Sequence, residues 1–235
     1  MKALKVVREN AIKRAIAEGR KAAGFQMAFY APVLIEILGS LDFEFVYLDC
    51  EHGTFSLEQI ENCCRAAEVS GLTVICRIPH VEDALGCLDR GVQGFIFPHV
   101  TCGEDIRRIE EACFFYPRGQ RSNGGGRGDR YWRPVQDFHE HFAEANRNIS
   151  IAVQIEDKAA MDNIDDILSV EGVVDYYVIG FNDLAQSMGI PRRKGPREPA
   201  LVEAGDLLTR KIHEKGGLLK EDALNLIYMR DFLLK

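Results

Sequence analysis

Short apolar segments alternate with amphipathic segments along most of this chain. Apolar runs bounded by polar residues predict buried strands near residues 23–28, 45–50, 73–77, 94–98, 151–156 and 175–180. Helical spacing of apolar positions predicts helices near residues 31–39, 56–70, 82–90, 103–115, 157–168 and 198–215. Strands that alternate with helices form right-handed βαβ units around a parallel sheet. The pattern therefore predicts an α/β fold, a TIM (β/α)8-type barrel in one domain over residues 1–235, with a doubly wound open sheet as the alternative.

The sequence also predicts a helix at the start of the chain and an incomplete strand-helix pattern at its end. Apolar positions from residue 3 to residue 18 have helical spacing and Gly19 closes them, which predicts a leading N-terminal helix. Residues 216–219 predict a short seventh strand, and residues 221–234 predict a helix. No segment remains for an eighth strand, so we expect the C-terminal part of the barrel to be shortened.

Composition narrows the class of protein. The 235 residues are 46% hydrophobic, which is enough for one large core. A formal net charge of −7 argues against a nucleic-acid partner and gives no reason to expect attraction to membranes. The seven cysteines are odd in number and lack zinc-ribbon spacing, so we expect reduced, buried thiols. Without a long apolar run or a secretory leader pattern, the expected location is cytoplasmic.

Polar groups follow several of the predicted strands. In parallel α/β barrels these carboxyl ends carry the active site. Asp49 and His52 lie three residues apart after one strand, a spacing that lets the carboxylate orient the imidazole as a base near neutral pH. The alternative for His52 is a strand-end histidine that bonds a neighbouring backbone group. Arg77 follows the next strand and is a candidate for stabilising negative charge in a substrate, or for an ion pair with Glu51 or Asp49, or for both.

Two acids further along the chain suggest a metal site. Glu156 and Asp183 are 27 residues apart, which is one βαβ step, so adjacent strands would present both carboxylates to one Mg²⁺ or Mn²⁺ ion. Gln154 shares a strand face with Glu156 and could hold a water on the metal. The alternative for Asp183 is a helix N-cap, whose mutation would cost about 1 kcal/mol of stability and nothing else.

Taken in order, these residues resemble a known family. The matching motifs are Asp49-x-Glu51-His52-Gly53, Arg77-x-Pro79, Leu88-Asp89-x-Gly91, Pro98, Tyr116-Pro117-x-Gly119-x-Arg121, Gln154-x-Glu156 and Gly180-x-Asn182-Asp183-Leu184-x-x-Ser187-x-Gly189. They resemble the HpcH/HpaI family of metal-dependent class II pyruvate aldolases over roughly residues 20–215. The family usually has Pro where this chain has Phe181.

The resemblance implies a modified TIM barrel, assembled as a trimer or hexamer. It would cleave a 4-hydroxy-2-oxo acid reversibly to pyruvate and an aldehyde through a metal-stabilised enolate. By resemblance, Glu156 and Asp183 bind a divalent ion (Mg²⁺, Mn²⁺ or Co²⁺), and Arg77 holds the keto oxygen. His52, paired with Asp49, moves the proton, Gln154 assists at the substrate, and backbone amides near Asn182 and Asp183 bind the substrate carboxylate.

Two alternatives to the aldolase interpretation remain at this point. One is an enolate enzyme on the same scaffold with another partner, as in citrate-forming condensation or oxaloacetate decarboxylation. The other is a non-catalytic barrel that binds an oxo acid, although such a barrel has no need for so many costly charges in one place.

Residues 117–134 interrupt the regular alternation because they are rich in glycine and arginine. This composition predicts an irregular functional loop or lid, followed by a helix near residues 135–147. Because the loop follows a helix, it starts on the barrel face opposite the expected site. We hypothesise that it reaches the active site of a neighbouring subunit, where Arg121 or Arg127 binds an acidic aldehyde.

Overall fold

Parallel strands form the centre of the molecule in the computed structural model, which describes residues 7–191 and 195–233. The strands of this described part are β1 (Ala22–Met27), β2 (Phe45–Asp49), β3 (Thr73–Arg77), β4 (Gly94–Phe97), β5 (Ser150–Ile155), β6 (Tyr176–Ile179) and β7 (Leu224–Tyr228). They form one curled sheet in the order β6-β5-β4-β3-β2-β1-β7, and every pairing is parallel. The predicted parallel α/β sheet is confirmed.

Helices connect these strands and pack on the outer face of the sheet. They are α1 (Ala11–Ala17), α2 (Pro32–Gly39), α3 (Leu57–Val69), α4 (Ala84–Asp89), α5 (Gly103–Cys113), α6 (Phe138–Asn148), α7 (Lys158–Asp162), α8 (Ile164–Ile167), α9 (Phe181–Ser187), α10 (Pro199–Glu214), α11 (Lys220–Ala223) and α12 (Met229–Leu233). A capping box starts α3, because the Ser56 hydroxyl accepts from the Gln59 amide and the Gln59 side chain accepts from the Ser56 amide.

The leading helix is shorter than its sequence pattern predicts. It begins at Ala11, residues 7–10 are not helical, and residues 3–6 of the prediction lie outside the described residues. The reason is Asn10, whose side-chain oxygen accepts hydrogen bonds from the amides of Ile12 and Lys13 and so fixes the start of the helix. The apolar position at Val7, just upstream of Asn10, is therefore not part of the helix.

The Asn10 side chain offers a direct test of this cap. It is 1% exposed. Its Nδ2 donates to the carbonyl oxygens of Gln93 at 2.8 Å and Asn148 at 3.1 Å. We expect Asn10→Ala to lower the free energy of unfolding by about 2–3 kcal/mol, measured by urea denaturation, because a cap and two buried bonds are lost together. Ser40→Ala, which removes an exposed hydroxyl at the end of α2, is the control; equal losses would contradict the assigned role.

The C-terminal segment differs from its prediction. Instead of a helix over residues 221–234, the chain forms the single turn α11, the strand β7 beside β1, and the short helix α12. The predicted seventh strand is reduced to a parallel bridge between Leu219 and Tyr177, with the Tyr177 amide donating to the Leu218 carbonyl at 2.8 Å. Leu224 and Leu226 both join the interior cluster, which is the two-residue period of a strand and not the period of a helix.

Side chains on the inner face of the sheet change character from one end of the strands to the other. Near the N-terminal ends the interior is apolar, and Ile12 of α1 closes it together with Phe45, Ile75 and Tyr176. Toward the carboxyl ends of β1, β2, β3, β5 and β7, the same face carries polar groups. These inward polar groups are Gln26, Asp49, Arg77, Gln154, Glu156 and Tyr228. The polar side chains of the inner face thus lie at the carboxyl end of the sheet.

The glycine- and arginine-rich loop is held by the chain's own acids. Arg121 is buried, with its guanidinium 3.4 Å from the Asp129 carboxylate, and Arg127 is bonded to Glu68 of α3. Residues Arg127–Trp132 contain short 3-10 turns that are interrupted at Arg130 and Tyr131, where φ is 52° and 54°, so the loop is irregular as predicted. Both charges are thus paired within the chain, and the hypothesis that Arg121 or Arg127 binds an acidic aldehyde at a neighbouring subunit stays a prediction that these ion pairs do not support.

The cysteines and the helices test two further expectations from the sequence. All seven cysteines are free, which fits the expectation of reduced thiols. Five of them are buried as expected, whereas Cys50 and Cys102 are half-buried. In residues 7–191 and 195–233, no helix is both long and apolar enough to cross a bilayer.

Candidate active site

An arginine-carboxylate pair lies at the centre of the polar end of the sheet. Asp49 and Arg77 are register partners at the ends of β2 and β3. Arg77 donates from Nε to Asp49 Oδ1 at 3.0 Å and from Nη2 to Asp49 Oδ2 at 2.6 Å, a two-pronged pair. Arg77 Nε is also 3.0 Å from the Glu51 carboxylate. The sequence-based alternative of an ion pair with Asp49 or Glu51 is thus observed, and it leaves Nη1 directed along the sheet.

This pair shifts the protonation equilibria of both partners. Burial by itself raises the pKa of Asp49, but the hydrogen bonds and charge of Arg77 outweigh it and hold the pKa below the ordinary value. Burial lowers the pKa of Arg77, yet its bonds to Asp49 and nearby acids raise it above the usual value. Both groups therefore stay charged at neutral pH.

Two glutamines extend this pair into a row of bonds across the sheet. Gln26 of β1 donates to Asp49 Oδ2 at 3.2 Å. On the other side, Arg77 Nη1 donates to Gln154 Oε1 at 3.4 Å, and Gln154 Nε2 donates to the Glu156 carboxylate. Side chains from β1, β2, β3 and β5 are thus joined in sequence, which fixes the orientation of each one. Gln154 contacts Glu156 as its shared strand face suggested.

Glu156 and Asp183 come together on adjacent strands, as their spacing predicted. Glu156 follows β5 and is 2% exposed, whereas Asp183 lies in the first turn of α9, just beyond β6. Burial raises the pKa of Glu156, and the negative charge of Asp183 adds to the rise. Gly180, and not Asp183, is the N-cap of α9, so the N-cap alternative for Asp183 is wrong. Asp183 is free to face the cleft.

Gly180 is what allows this close approach. A Cβ atom added there would lie 2.4 Å from Glu156 Oε2 and 2.6 Å from Glu156 Cβ. Any side chain at this position would displace the carboxylate, so the backbone of β6 and the acid of β5 fit only with glycine.

His52 differs from its predicted geometry. Its imidazole is 69% exposed, and it is the backbone amide of His52 that donates to Asp49 Oδ1, at 3.3 Å. The carboxylate oxygens of Asp49 are bound by Arg77 and Gln26, and the imidazole Nε2 of His52 instead lies 3.9 Å from the Glu51 carboxylate. The prediction that Asp49 orients the imidazole of His52 is therefore wrong in this structure, although both residues line the same cleft.

Sequence reasoning missed His99. It follows β4 with a left-handed backbone (φ 55°), and its amide donates to Glu156 Oε1 at 2.9 Å. Its imidazole lies 3.3 Å from Glu156 Oε1 through Nδ1 and 3.3 Å from Glu51 Oε1 through Nε2. The signal was available, because β4 also ends in a polar residue, directly after Pro98. His99 connects the Glu51 and Arg77 side of the site to Glu156.

A cleft of about 650 Å³ is lined by Gln26, Asp49, His52, Arg77, Gln154, Glu156 and Asp183. Its floor is the row of strand-end side chains, and Asn182, which is exposed, lies at its edge in the first turn of α9. Another part of the lining was not foreseen from the sequence and comes from the C-terminal third of the chain. It includes Arg197, Lys220, Glu221, Tyr228 and Arg230.

The donor set at Glu156 and Asp183 fits a hard divalent cation. Across the described residues no group of three or more His, Cys, Asp or Glu side chains is placed to hold a metal, so the protein offers two carboxylates and leaves other positions open. Mg²⁺ and its relatives are often held by one or two carboxylates, with water and substrate completing the coordination.

The fold and site together define a TIM-barrel-like α/β enzyme with its chemistry at the carboxyl ends of the strands. The chain belongs to the HpcH/HpaI aldolase/citrate lyase family, whose model matches residues 23–217. A 4-hydroxy-2-oxovalerate aldolase of Novosphingobium aromaticivorans is 33% identical over 184 residues, which is 77% of this chain and 68% of that protein. The predicted family and the predicted class, a carbon-carbon lyase, are both confirmed.

Solved structures support the fold. An HpcH/HpaI aldolase of Desulfitobacterium hafniense DCB-2 has a TM-score of 0.82 and 24% identity, with 94% of this chain and 93% of that chain covered. A structure titled citrate synthase SbnG has a TM-score of 0.76 and 26% identity, with coverages of 95% and 85%. The curled parallel sheet is thus the fold of this family.

Proposed function

We propose that this protein is a metal-dependent aldolase that reversibly cleaves a 4-hydroxy-2-oxo acid to pyruvate and an aldehyde. The observation that carries the proposal is the placement of the Asp49–Arg77 pair beside Glu156 and Asp183 in a single cleft. One arginine and two acids that can hold a cation are what an enolate needs for stabilisation. The family and its aldolase relatives agree.

In this proposal Glu156 and Asp183 hold the divalent ion, which is Mg²⁺, Mn²⁺ or Co²⁺. When bound, the ion supplies Lewis acidity that makes the carbon next to the ketone more acidic. Gln154 supports Glu156 by donating to its carboxylate, and the His99 amide donates to the other oxygen. Both bonds fix the direction in which Glu156 presents its charge.

Arg77 is positioned to bind the keto oxygen of the substrate. Two of its nitrogens are fixed on Asp49, so Nη1 is held near Gln154 at the floor of the cleft. As the bond between carbons 3 and 4 breaks, its electron pair moves toward the keto group and negative charge develops on that oxygen. A guanidinium already fixed in place stabilises this charge without reorganising.

His52 is the proposed proton carrier. It would take the proton of the 4-hydroxyl group as that oxygen becomes the aldehyde, and return a proton to carbon 3 of the pyruvate product. Its exposed imidazole lines the cleft, and Asp49 fixes the turn that carries it through the backbone amide. The first turn of α9, at Asn182 and Asp183, is the proposed place for the substrate carboxylate.

The close contact at Gly180 gives a test of the metal ligands. Gly180→Ala would place a methyl group 2.4 Å from Glu156 Oε2, so we expect Mn²⁺ affinity, measured by isothermal titration calorimetry, to fall at least about tenfold. Gly86→Ala in α4 is the matched control, because its added Cβ meets only ordinary contacts at 3.4 Å. Unchanged Mn²⁺ affinity in Gly180→Ala would remove Glu156 from the proposed site.

Finer features of the architecture belong to the same proposal. We propose that residues 218–219 and β7 take the places of the last two strands of an eight-stranded barrel, supported by the bridge from Leu219 to Tyr177 and the pairing of β7 with β1. The single domain, the homo-oligomer (trimer or hexamer), the shortened C-terminal part and the cytoplasmic location also stay proposals. Support for the location is the set of seven free cysteines.

A second function shares the same enolate but joins it to another partner. The similarity of this chain to the citrate synthase SbnG structure is the observation that supports this second function. Parallel assays separate the two: pyruvate with simple aldehydes, and oxaloacetate with or without a second oxo acid, each with chelated and metal-supplied protein. The aldolase proposal expects product from pyruvate and an aldehyde; product only from oxaloacetate would contradict it.

A further inference from the structure

Four arginines from two distant segments of the chain line a second cavity, outside the cleft. They are Arg8, from the segment before α1, and Arg121, Arg127 and Arg130, from the glycine- and arginine-rich loop. The cavity has a volume of about 60 Å³ and shares no lining residue with the cleft. A space of this size holds roughly four waters or one small ion.

The cavity lies at the N-terminal ends of the strands. Its lining includes residues 91–93, directly before β4, and residues 148–149, directly before β5. Arg8 Nη2 donates to the carbonyl oxygen of Leu72, directly before β3, at 2.5 Å. The cavity is therefore at the opposite end of the strands from Glu156 and Asp183.

Glycines allow the loop to lie against this cavity. A Cβ atom added at Gly126 would lie 2.6 Å from the carbonyl oxygen of Asp89. One added at Gly128 would lie 2.3 Å from the carbonyl oxygen of Leu88. The loop backbone therefore packs on the end of α4 only with glycine at these two positions, and this packing fixes the segment that carries the arginines.

One carboxylate serves three of the four arginines. Glu68, near the end of α3, bonds Arg127 through Oε2, and its Oε1 lies 3.6 Å from Arg130 Nη2. Arg8 makes no ion pair within the described part of the chain, and Glu68 is the carboxylate whose charge acts on it. A single negative charge thus faces three positive charges.

Arg121 is balanced by acids of its own. Asp129 lies 3.4 Å from its Nη2, and Asp89 lies 4.0 Å from the same atom. The excess of positive charge is therefore at Arg8 and Arg130. No Asp or Glu is among the residues outside the described ranges, so none of their side chains supplies a further carboxylate.

Burial makes this excess of charge costly. It lowers the pKa of Arg8, and the positive charges of Arg130 and Arg127 add to the effect while Glu68 opposes it. The Nε atoms of Arg121 and Arg130 are buried and have no hydrogen-bond partner within the part of the chain that the structure describes. Buried charges are ordinarily paired and buried donors hydrogen-bonded, and an anion in the cavity would meet both requirements.

We infer that Arg8 and Arg130, beside the Arg127–Glu68 pair, bind one tetrahedral dianion of the size of phosphate. Two uncompensated positive charges match the two negative charges of hydrogen phosphate, and the planar fork of a guanidinium fits phosphate oxygens. A volume of about 60 Å³ admits such an ion and excludes a nucleotide. The inference goes beyond the proposed function and does not depend on it, because the cavity and the cleft share no residue.

The test is calorimetric titration of the metal-free protein with inorganic phosphate at pH 8, with the ionic strength held constant by chloride. Wild-type protein is expected to bind one phosphate with a Kd of about 1 mM or lower. Arg8→Gln and Arg130→Gln are each expected to weaken binding at least about tenfold, since each removes a charge-assisted contact. Arg107→Gln, which removes an arginine paired with Glu104 on the exposed face of α5, is the matched control and keeps the wild-type affinity.

Glu68→Gln is expected to change the affinity in the opposite direction. The variant removes the one carboxylate that competes with the anion for these arginines, so phosphate should bind at least about threefold more tightly. Damage to the fold would weaken binding, so a gain in affinity separates an anion site from a structural role of the cluster.

Absence of phosphate binding in wild-type protein would overturn the site. Equal affinities in wild-type protein, Arg8→Gln and Arg130→Gln would also overturn it, because the phosphate would then bind elsewhere. If Arg8→Gln does not fold, Arg130→Gln and Glu68→Gln decide, since these two side chains are 25% and 31% exposed and their replacement disturbs the interior less. Unchanged or weaker binding in Glu68→Gln would count against the inference.

Discussion

Glu156→Gln is expected to reduce retro-aldol cleavage by at least about 1,000-fold, because it removes one of the two carboxylates that hold the divalent ion. Mn²⁺ binding, followed by calorimetry, is expected to weaken in parallel. The retro-aldol rate is measured as pyruvate release under metal saturation. This substitution removes no more than a negative charge, yet we expect it to reduce activity more than any other single substitution.

Stability separates this effect from unfolding. Burial raises the pKa of Glu156 in the folded chain, so its ionised form lowers stability at any pH above the ordinary value for a glutamate. A neutral Gln removes that cost, and we expect metal-free Glu156→Gln to melt no lower than the parent protein. Glu171→Gln in an exposed turn is the matched control. Full activity in Glu156→Gln with unchanged Mn²⁺ binding would contradict the assigned role.

Arg77→Met is expected to lower both activity and stability. Activity should fall at least about 100-fold, because the cation fixed opposite the developing negative charge is lost. The free energy of unfolding should fall by about 3–5 kcal/mol, because the buried carboxylate of Asp49 is left without its partner. Rates of pyruvate release and chemical denaturation at pH 7 give the two numbers.

A double variant and a pH series test the physical reason. Adding Asp49→Asn to Arg77→Met should recover part of the lost stability, since the uncompensated charge is then gone. The folded pKa of Asp49 is lowered from its ordinary 3.8, so the pair stabilises the protein above that pH and the contribution is lost as the pH falls through the lowered value. The stability difference between parent and Arg77→Met should therefore shrink in acid. A difference that is independent of pH and strictly additive would argue against the pair.

Much of the fold follows from local sequence pattern, and the largest error of the prediction, in the C-terminal segment, has a physical cause. Buried parallel strands are continuous apolar runs, so β2, β3 and β5 lie within one residue of their predicted ends. The C-terminal segment was misassigned because residues 224–228 form a strand only by pairing with β1, some two hundred residues earlier. Short segments that depend on a distant partner carry little local signal.

The candidate site was partly predictable for the same reason. Residues after apolar strands identified Asp49, Arg77, Glu156 and Asp183, and the structure brings all four into one cleft. The orientation of His52 was not predictable, because the spacing of Asp49 and His52 does not show that Asp49 bonds Arg77, Gln26 and the backbone amide of His52 rather than its imidazole.

The positions of the cleft residues Arg197, Lys220 and Arg230 were not predictable from strand ends. Lys220 lies at the start of α11, and the residue before it, Leu219, is bridged to Tyr177 of β6. Contacts of this kind join segments far apart in the chain, and the spacing of residues within one segment does not indicate them.

The central claim is that the two carboxylates of Glu156 and Asp183 hold a divalent ion needed for removing a proton from pyruvate. Deuterium exchange into the pyruvate methyl group, followed by proton NMR, tests it in chelated protein and again after Mg²⁺ or Mn²⁺ is added. We predict no exchange above background in chelated protein and restoration on adding the ion, with no restoration in Glu156→Gln. Exchange that persists undiminished in chelated protein would contradict the account.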